Sequence, residues 1–256
     1  MTRLIPKDLI PNTLLSIEKS IMYLPPQLVI AWKNLLEKNG LFEKALEIAD
    51  EGFEGGMSKE DTDKHFAWRY TGSSARIMLS MLDPNQDIPN ISDVFTQFFS
   101  GNKVLLADLP CGSGAATISI LSVYCELRKH GLIPREPLEV TVVGGEISKY
   151  AQVYAREGLA QLLEEFRRQA IFVEFEIMDW DVCDPFSNVE LIKTLTLKSQ
   201  HCSAKVLMLA NFSGFLQGEK KWDTAKKQID ELFRFNLGES SVALWIEPNK
   251  NNVTDS

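Results

Sequence analysis

One short run of residues carries the clearest chemistry in this chain: Asp108-Leu109-Pro110-Cys111-Gly112-Ser113-Gly114. It follows the apolar stretch Val104-Leu105-Leu106-Ala107 and precedes a helix-forming segment from Ala115 through Arg128. That order describes a buried strand, a tight turn and a helix start. Gly112 and Gly114 have no Cβ, so a ligand can approach the backbone closely there. The free N–H groups and positive dipole end of the next helix face the same spot. Asp108, at the carboxyl end of the strand, can accept hydrogen bonds or face a cationic group. Together these residues read as a loop for a nucleotide-type cofactor.

Two nucleotide patterns fit poorly. The dinucleotide fingerprint Gly-x-Gly-x-x-Gly needs a third glycine where Thr117 stands, and a Walker loop needs a Gly-Lys-Ser/Thr that does not follow. The segment instead resembles the first motif of class I S-adenosylmethionine-dependent methyltransferases, an acid followed by spaced glycines. It matches at every position but one, because Pro110 stands where the first glycine is usual. Proline donates no hydrogen bond, so any contact through that N–H is lost. The resemblance implies a Rossmann-like fold with S-adenosyl-L-methionine as cofactor, held by Asp108, Pro110, Cys111, Gly112, Ser113 and Gly114.

That cofactor makes further demands. Its ribose diol needs an acceptor at the end of the second strand, and Glu146, after Val142-Val143-Gly144-Gly145, matches the ribose acid of the family. The plainer alternative is that Glu146 merely precedes the next helix, which Ser148 caps. The adenine needs apolar walls and an acceptor for its amine. Asp179-Trp180, past the third strand, match that position, with Ile147 expected on the other face of the ring. Asp181 and Asp184 compete for this role, and Trp180 reads equally as core. Asp108 suits the amine of the methionine end, and an arginine suits its carboxylate through a bidentate fork. Arg76 is the candidate; it shares a helix face with Arg69, which a solvated face also explains.

The fourth strand ends in Asn211-Phe212-Ser213-Gly214-Phe215, the position that faces the transferred methyl group in the family. Methyltransferases acting on base amino groups carry Asn/Asp-Pro-Pro-aromatic there. Phe212-Ser213 replaces the prolines, so base methylation is not supported. Asn211 is the candidate to orient a nucleophile, and a strand-terminating turn explains the same residues. His65, His130 and His201 fall in a helix, near a helix end and in a loop, so all three are expected at the surface.

These residues need a scaffold. From Lys103 onward apolar strands and amphipathic helices alternate: strands over 104–108, 139–144, 171–177, 205–211 and 241–246, with helices over 115–129, 149–168, 189–197 and 222–235. Such βα repeats imply a doubly wound, mainly parallel sheet covered on both faces, and such sheets bind ligands at the switch point beside the first strand. Residues 101–256 are thus expected to form the cofactor domain. Residues 1–100 read as a helical cap: short helices carrying Leu14, Leu15, Ile17 and Ile21 and then Val29 to Leu36, separated by Pro25-Pro26. A flexible joint follows at 51–56. Ser58 and Asp61 then open a helix that runs to Leu82, and a short helix covers 93–99. The family usually adds two more strands. The sequence ends about ten residues after the fifth, so three alternatives stand: a departure from the family that lacks the last two strands, a fragment of a longer chain, or an edge covered by a second copy or another chain.

Bulk properties bound the function. The chain has 256 residues, 45% hydrophobic and 24% charged, enough for a substantial core. A net charge of −8 does not draw nucleic acid or anionic lipid, so a small molecule or a protein is the favoured methyl acceptor over nucleic acid. No apolar run spans a bilayer and no secretory pattern opens the chain, which reads as cytoplasmic and not membrane-bound. Four scattered cysteines argue against a zinc or iron–sulfur site and against a disulfide framework. Three functions therefore compete: a methyltransferase, a catalytically silent S-adenosylmethionine-binding assembly or regulatory subunit, and, last, a nicotinamide-dependent oxidoreductase.

Overall fold

The computed structural model describes residues 4–49, 56–218 and 220–247. The joint expected over 51–56 lies outside these residues except for Gly56. The chain opens with two short antiparallel strands, β1 (Leu15–Ser16) and β2 (Ile21–Met22), and continues with α1 (Pro26–Lys38), α2 (Phe42–Leu46), α3 (Lys59–Leu82) and α4 (Pro89–Phe99). It then alternates: β3 (Lys103–Asp108), α5 (Ala115–Lys129), β4 (Leu138–Glu146), α6 (Lys149–Arg168), β5 (Ile171–Asp179), α7 (Pro185–Ser199) and β6 (Ala204–Ala210). The last described elements are α8 (Ser213–Gly218), α9 (Trp222–Phe235) and β7 (Ser241–Ile246).

The five strands β3 to β7 form one parallel sheet in the order β5-β4-β3-β6-β7, flanked by helices and consistent with a Rossmann-like arrangement. Strand β3 is central, and its residues alternate between two cores. Val104 and Leu106 face the core shared with α5, α6 and the amino-terminal helices, while Leu105 and Ala107 face the one beneath α7 and α9. Burial on both sides explains why these strands read as continuous apolar runs. Among the described residues no helix is long and apolar enough to cross a membrane.

The amino-terminal helices join this core. The first hydrophobic cluster runs without a break from Ile5 to Leu244, so the boundary expected near residue 100 interrupts no packing. Arg128 of α5, only 1% exposed, helps to tie the layers together. Its Nη1 donates to the carbonyls of Gln169 and Ala170 past the end of α6, and its Nη2 donates to the Ser100 carbonyl at the end of α4.

Local signals set the boundaries. Ser58 Oγ accepts from the Asp61 amide at 3.1 Å to open α3, and Asp83, in the left-handed region at φ 38°, closes it. One expected helix is absent: Leu14 to Ile21 form the β1–β2 hairpin, turned by Ser20 at φ 52°. A helix would place Leu14, Leu15, Ile17 and Ile21 on one buried face. Here only Leu14 and Leu15 reach the core, and Ile17 and Ile21 are exposed.

Candidate functional site

A cavity of about 220 Å³ opens at the carboxyl ends of β4, β3 and β6 and is roofed by α3. Adjacent strands lie about 4.8 Å apart, so the tips of β4, β3 and β6 present Glu146, Asp108 and Asn211 in a row.

The turn between β3 and α5 forms the floor. The Leu109–Pro110 peptide is cis, and Gly112 and Gly114 take positive φ of 51° and 82°. A Cβ on Gly112 would meet nothing within 4 Å, because that side of the residue is open to the cavity. Gly114 is needed for a different reason. A Cβ there would lie 3.2 Å from the Ala155 Cα, so its absence lets α6 pack against the start of α5. Gly144 and Gly145 play a similar part at the end of β4, where added Cβ atoms would collide with Cys111, Ile177, Leu109 and Trp180.

Two carboxylates are buried here. Asp108 Oδ2 accepts from the amide of Thr117 at 3.2 Å and from its hydroxyl at 2.6 Å, whereas buried Oδ1 has no partner among the described residues. Burial pushes the Asp108 carboxyl up to about 6, against the pull of the Thr117 bonds and with a contribution from Glu146. Thr117, the residue that breaks the dinucleotide pattern, is thus the one that holds this acid in place. Glu146 Oε2 accepts from the Gly112 amide at 3.0 Å and Oε1 from the Ser148 amide at 2.7 Å. Burial raises its pKa too, the backbone bonds oppose the shift, and the Asp179 charge adds to it. Cys111 beside them is driven well above the usual thiol range, first by burial and then by the two acids. No lysine or arginine lines the cavity among the described residues.

The β6 end differs. Asn211 sits at φ 57° and its Oδ1 accepts from Arg76 Nη1 of α3. Burial lowers the Arg76 pKa, and Glu247 opposes that shift. Glu247 Oε1 also accepts from the amides of Phe212 and Ser213 at 3.0 and 2.8 Å and from Trp245 Nε1 at 2.7 Å. The Phe212 and Phe215 rings stack with centroids 6.3 Å apart and line the cavity.

Of the residues singled out in the sequence, Asp108, Pro110, Cys111, Gly112, Ser113, Glu146, Ile147 and Asn211 line this cavity. Gly114 stands behind its wall. Arg76 does not line it but reaches its rim through Asn211. Asp179 is exposed at the tip of β5, beside Glu146 in register and outside the lining. The structure does not bring Trp180 to the cavity. Its ring is 2% exposed in the core beneath the sheet, packs over Gly145, and donates from Nε1 to Asn188 Oδ1 at 3.3 Å. His65, expected at the surface, lines the cavity from α3, and burial, followed by Arg69, lowers its pKa to about 4. Thr62, Tyr70, Ser73 and Ile77 join it. These five positions of α3 share one face of the helix, a pattern available in the sequence, but nothing local says what that face covers. Thr62 also fastens the roof, its hydroxyl lying 3.1 Å from that of Ser148.

Comparison with known proteins finds no matching family, no matching curated protein and no matching solved structure. The chemistry of the cavity therefore rests on its own residues. A cleft with two buried carboxylates and, among the described residues, no lining lysine or arginine favours a positively charged ligand.

Proposed function

We propose that the cavity binds S-adenosyl-L-methionine and that the protein is a methyltransferase of Rossmann-like fold. The observation that carries this reading is Asp108 Oδ1, a buried carboxylate oxygen with no partner among the described residues, beside a glycine turn open to the cavity. Burying a charged oxygen without a hydrogen bond is costly, and a ligand ammonium group offsets that cost. The cofactor also carries a sulfonium charge, which suits a cavity lined by acids and not by lysine or arginine. Asp108 then takes the amine, Glu146 the ribose hydroxyls through its remaining lone pairs, and Ile147 one face of the adenine. The N-terminus of α5 and the amides of the turn face the methionine end.

When bound, this cofactor supplies an activated methyl group on sulfur. The protein has then to align an acceptor and exclude water, which are tasks of position and desolvation. The stacked Phe212–Phe215 pair and the roof of α3 provide that enclosure, and Asn211 stands where the acceptor is oriented. A small molecule or a protein is the favoured acceptor.

A second reading, a binding module without catalysis, draws on Pro110 in the glycine motif and on Phe212-Ser213 in place of the prolines. A nicotinamide dinucleotide is disfavoured because its pyrophosphate is anionic and would face Asp108 and Glu146. Calorimetry with S-adenosylmethionine, S-adenosylhomocysteine and NAD separates the cofactors, and release of S-adenosylhomocysteine across an acceptor panel separates enzyme from silent module. Failure of both sulfur ligands to bind at millimolar concentration would end the first two readings together.

A further inference from the structure

We infer that the methyl acceptor is an aromatic carboxylate, held by the Asn211 amide nitrogen, and that Arg76 is the positioning residue that turns that nitrogen toward it. The inference rests on the cofactor assignment above and deepens it at the other end of the same cavity. Arginine has five donors and no acceptor, so the Asn211 atom facing Arg76 Nη1 must be the carbonyl oxygen. The side-chain amide is thereby fixed in one of its two orientations. Nδ2 donates to no protein group among the described residues, and Asn211 lines the cavity. This end consequently offers a ligand two N–H hydrogens and withholds the oxygen that would accept from an amine.

Three further features agree. The Arg76 guanidinium stands behind Asn211 at the β6 tip, partly balanced by Glu247, whereas the acids at β3 and β4 have no such partner among the lining residues. Phe212, Phe215 and Ile77 line the cavity with flat and apolar surface, which suits an aromatic ring. Of the titratable side chains that α3 turns to the cavity, Tyr70 is kept protonated and His65 neutral and weakly basic by burial, so both are poorly suited to deprotonate an ammonium group. A carboxylate needs no such base. Its oxygen attacks the methyl carbon in line with sulfur, a C–O bond forms, and the C–S bond breaks with its electron pair left on sulfur. Anion and sulfonium become a neutral methyl ester and a neutral thioether, and no proton is transferred.

The test uses the full chain saturated with S-adenosylhomocysteine, with benzoate and benzylamine as probes titrated separately. Benzoate is expected to bind at least about tenfold tighter than benzylamine, as one charge-assisted hydrogen bond allows. Asn211→Asp keeps an oxygen for Arg76, tolerates the left-handed backbone, and exchanges the donor for an acceptor. It should weaken benzoate by about tenfold or more and shift preference toward benzylamine. Arg76→Met should lower the ratio of benzoate to benzylamine affinity and Arg76→Lys should restore part of it, a pattern that mere loss of packing does not give. Equal affinities, a preference for benzylamine, no binding of either probe, or an Asn211→Asp variant that still selects benzoate each overturns the inference. S-adenosylhomocysteine that fails to saturate the protein in the first step fails the cofactor reading instead, so the two failures are distinguishable.

Discussion

The two ends of the cavity handle charge in opposite ways. At the β3 and β4 tips, Asp108 and Glu146 are buried together, and among the described residues no lysine or arginine lines the cavity and Asp108 Oδ1 has no partner. At the β6 tip, Asn211 is tied to Arg76, and Glu247 Oε1 gathers three donors. The first end is electrostatically incomplete, and the proposed cofactor would complete it with a cationic group. The second holds Asn211 by one oxygen and Glu247 by Oε1, which fixes the direction these groups face, although Glu247 Oε2 is itself buried without a partner among the described residues. An incomplete site gives affinity, whereas a fixed one gives orientation, and a group-transfer enzyme needs both in one enclosure.

The sharpest way to break this contrast is Asp108→Asn. Removing one partner of a buried charge pair typically costs about 2–5 kcal/mol, so affinity for S-adenosylmethionine should fall by at least about 30-fold in calorimetry. The unliganded protein should become more stable to denaturant, because the unpaired charge is gone and the Asn oxygen can still accept from Thr117. Glu146→Ala comes next, with an expected loss of about tenfold to 100-fold in affinity. Here stability moves the other way and falls by about 1–3 kcal/mol, since the Ser148 and Gly112 amides lose their acceptor. Loss of both affinity and stability in both variants would erase the distinction between a ligand-directed acid and a structural one.

The same contrast predicts a pH dependence. The folded Asp108 carboxyl, at about 6, lies above its unfolded value of 3.8. The folded state therefore holds the proton more tightly, and this residue lowers stability as pH rises from about 4 through 6, with no further change above that range. Binding has the opposite slope, because only the carboxylate pairs with an ammonium. Affinity for S-adenosylmethionine should rise roughly tenfold between pH 5 and 7 and level off. His65, lowered to about 4, stays neutral across that window and does not mask the effect. A flat profile in calorimetry, or the same slope in Asp108→Asn, would place the responsible group elsewhere.

Much of the fold was legible because its signals are local. Buried parallel strands read as apolar runs, and Ser58 and Ser148 announce the helices they cap. The bounds expected for α5, α6, α9 and β7 are those found. The glycine turn and Glu146 were legible because a close approach and a strand tip leave residue types behind. What decides the rest is phase and tertiary contact. The sequence suggests that β5 stops at Ile177, but it runs on to Asp179. That continues the alternation in which Ile171, Val173 and Phe175 face the α6 side and even-numbered residues face the other. Trp180 falls on the even side and joins the core under α7, while Asp179 is left exposed. The roof is harder still, because α3 reaches the cavity only after packing on α5 and α6. No spacing within residues 59–82 names the strand tips it will cover.

Trp180 supplies the smallest effect and the cleanest boundary. Trp180→Phe keeps an aromatic ring over Gly145 but removes the Nε1 donor, leaving Asn188 Oδ1 buried with one bond fewer. Denaturant unfolding should register a loss of about 1–3 kcal/mol. Because the ring lies behind the sheet and not in the cavity, affinity for S-adenosylmethionine should stay within about twofold of the parent, a difference near the resolution of calorimetry. An affinity drop of roughly tenfold with unchanged stability would mean that this indole meets the adenine. The cavity would then extend past β4 to the β5 tip, and Asp179 would regain its place as the partner of the adenine amine. An unchanged affinity with lowered stability confines the proposed cofactor to the tips of β4, β3 and β6, where Glu146, Asp108 and Asn211 line the cavity.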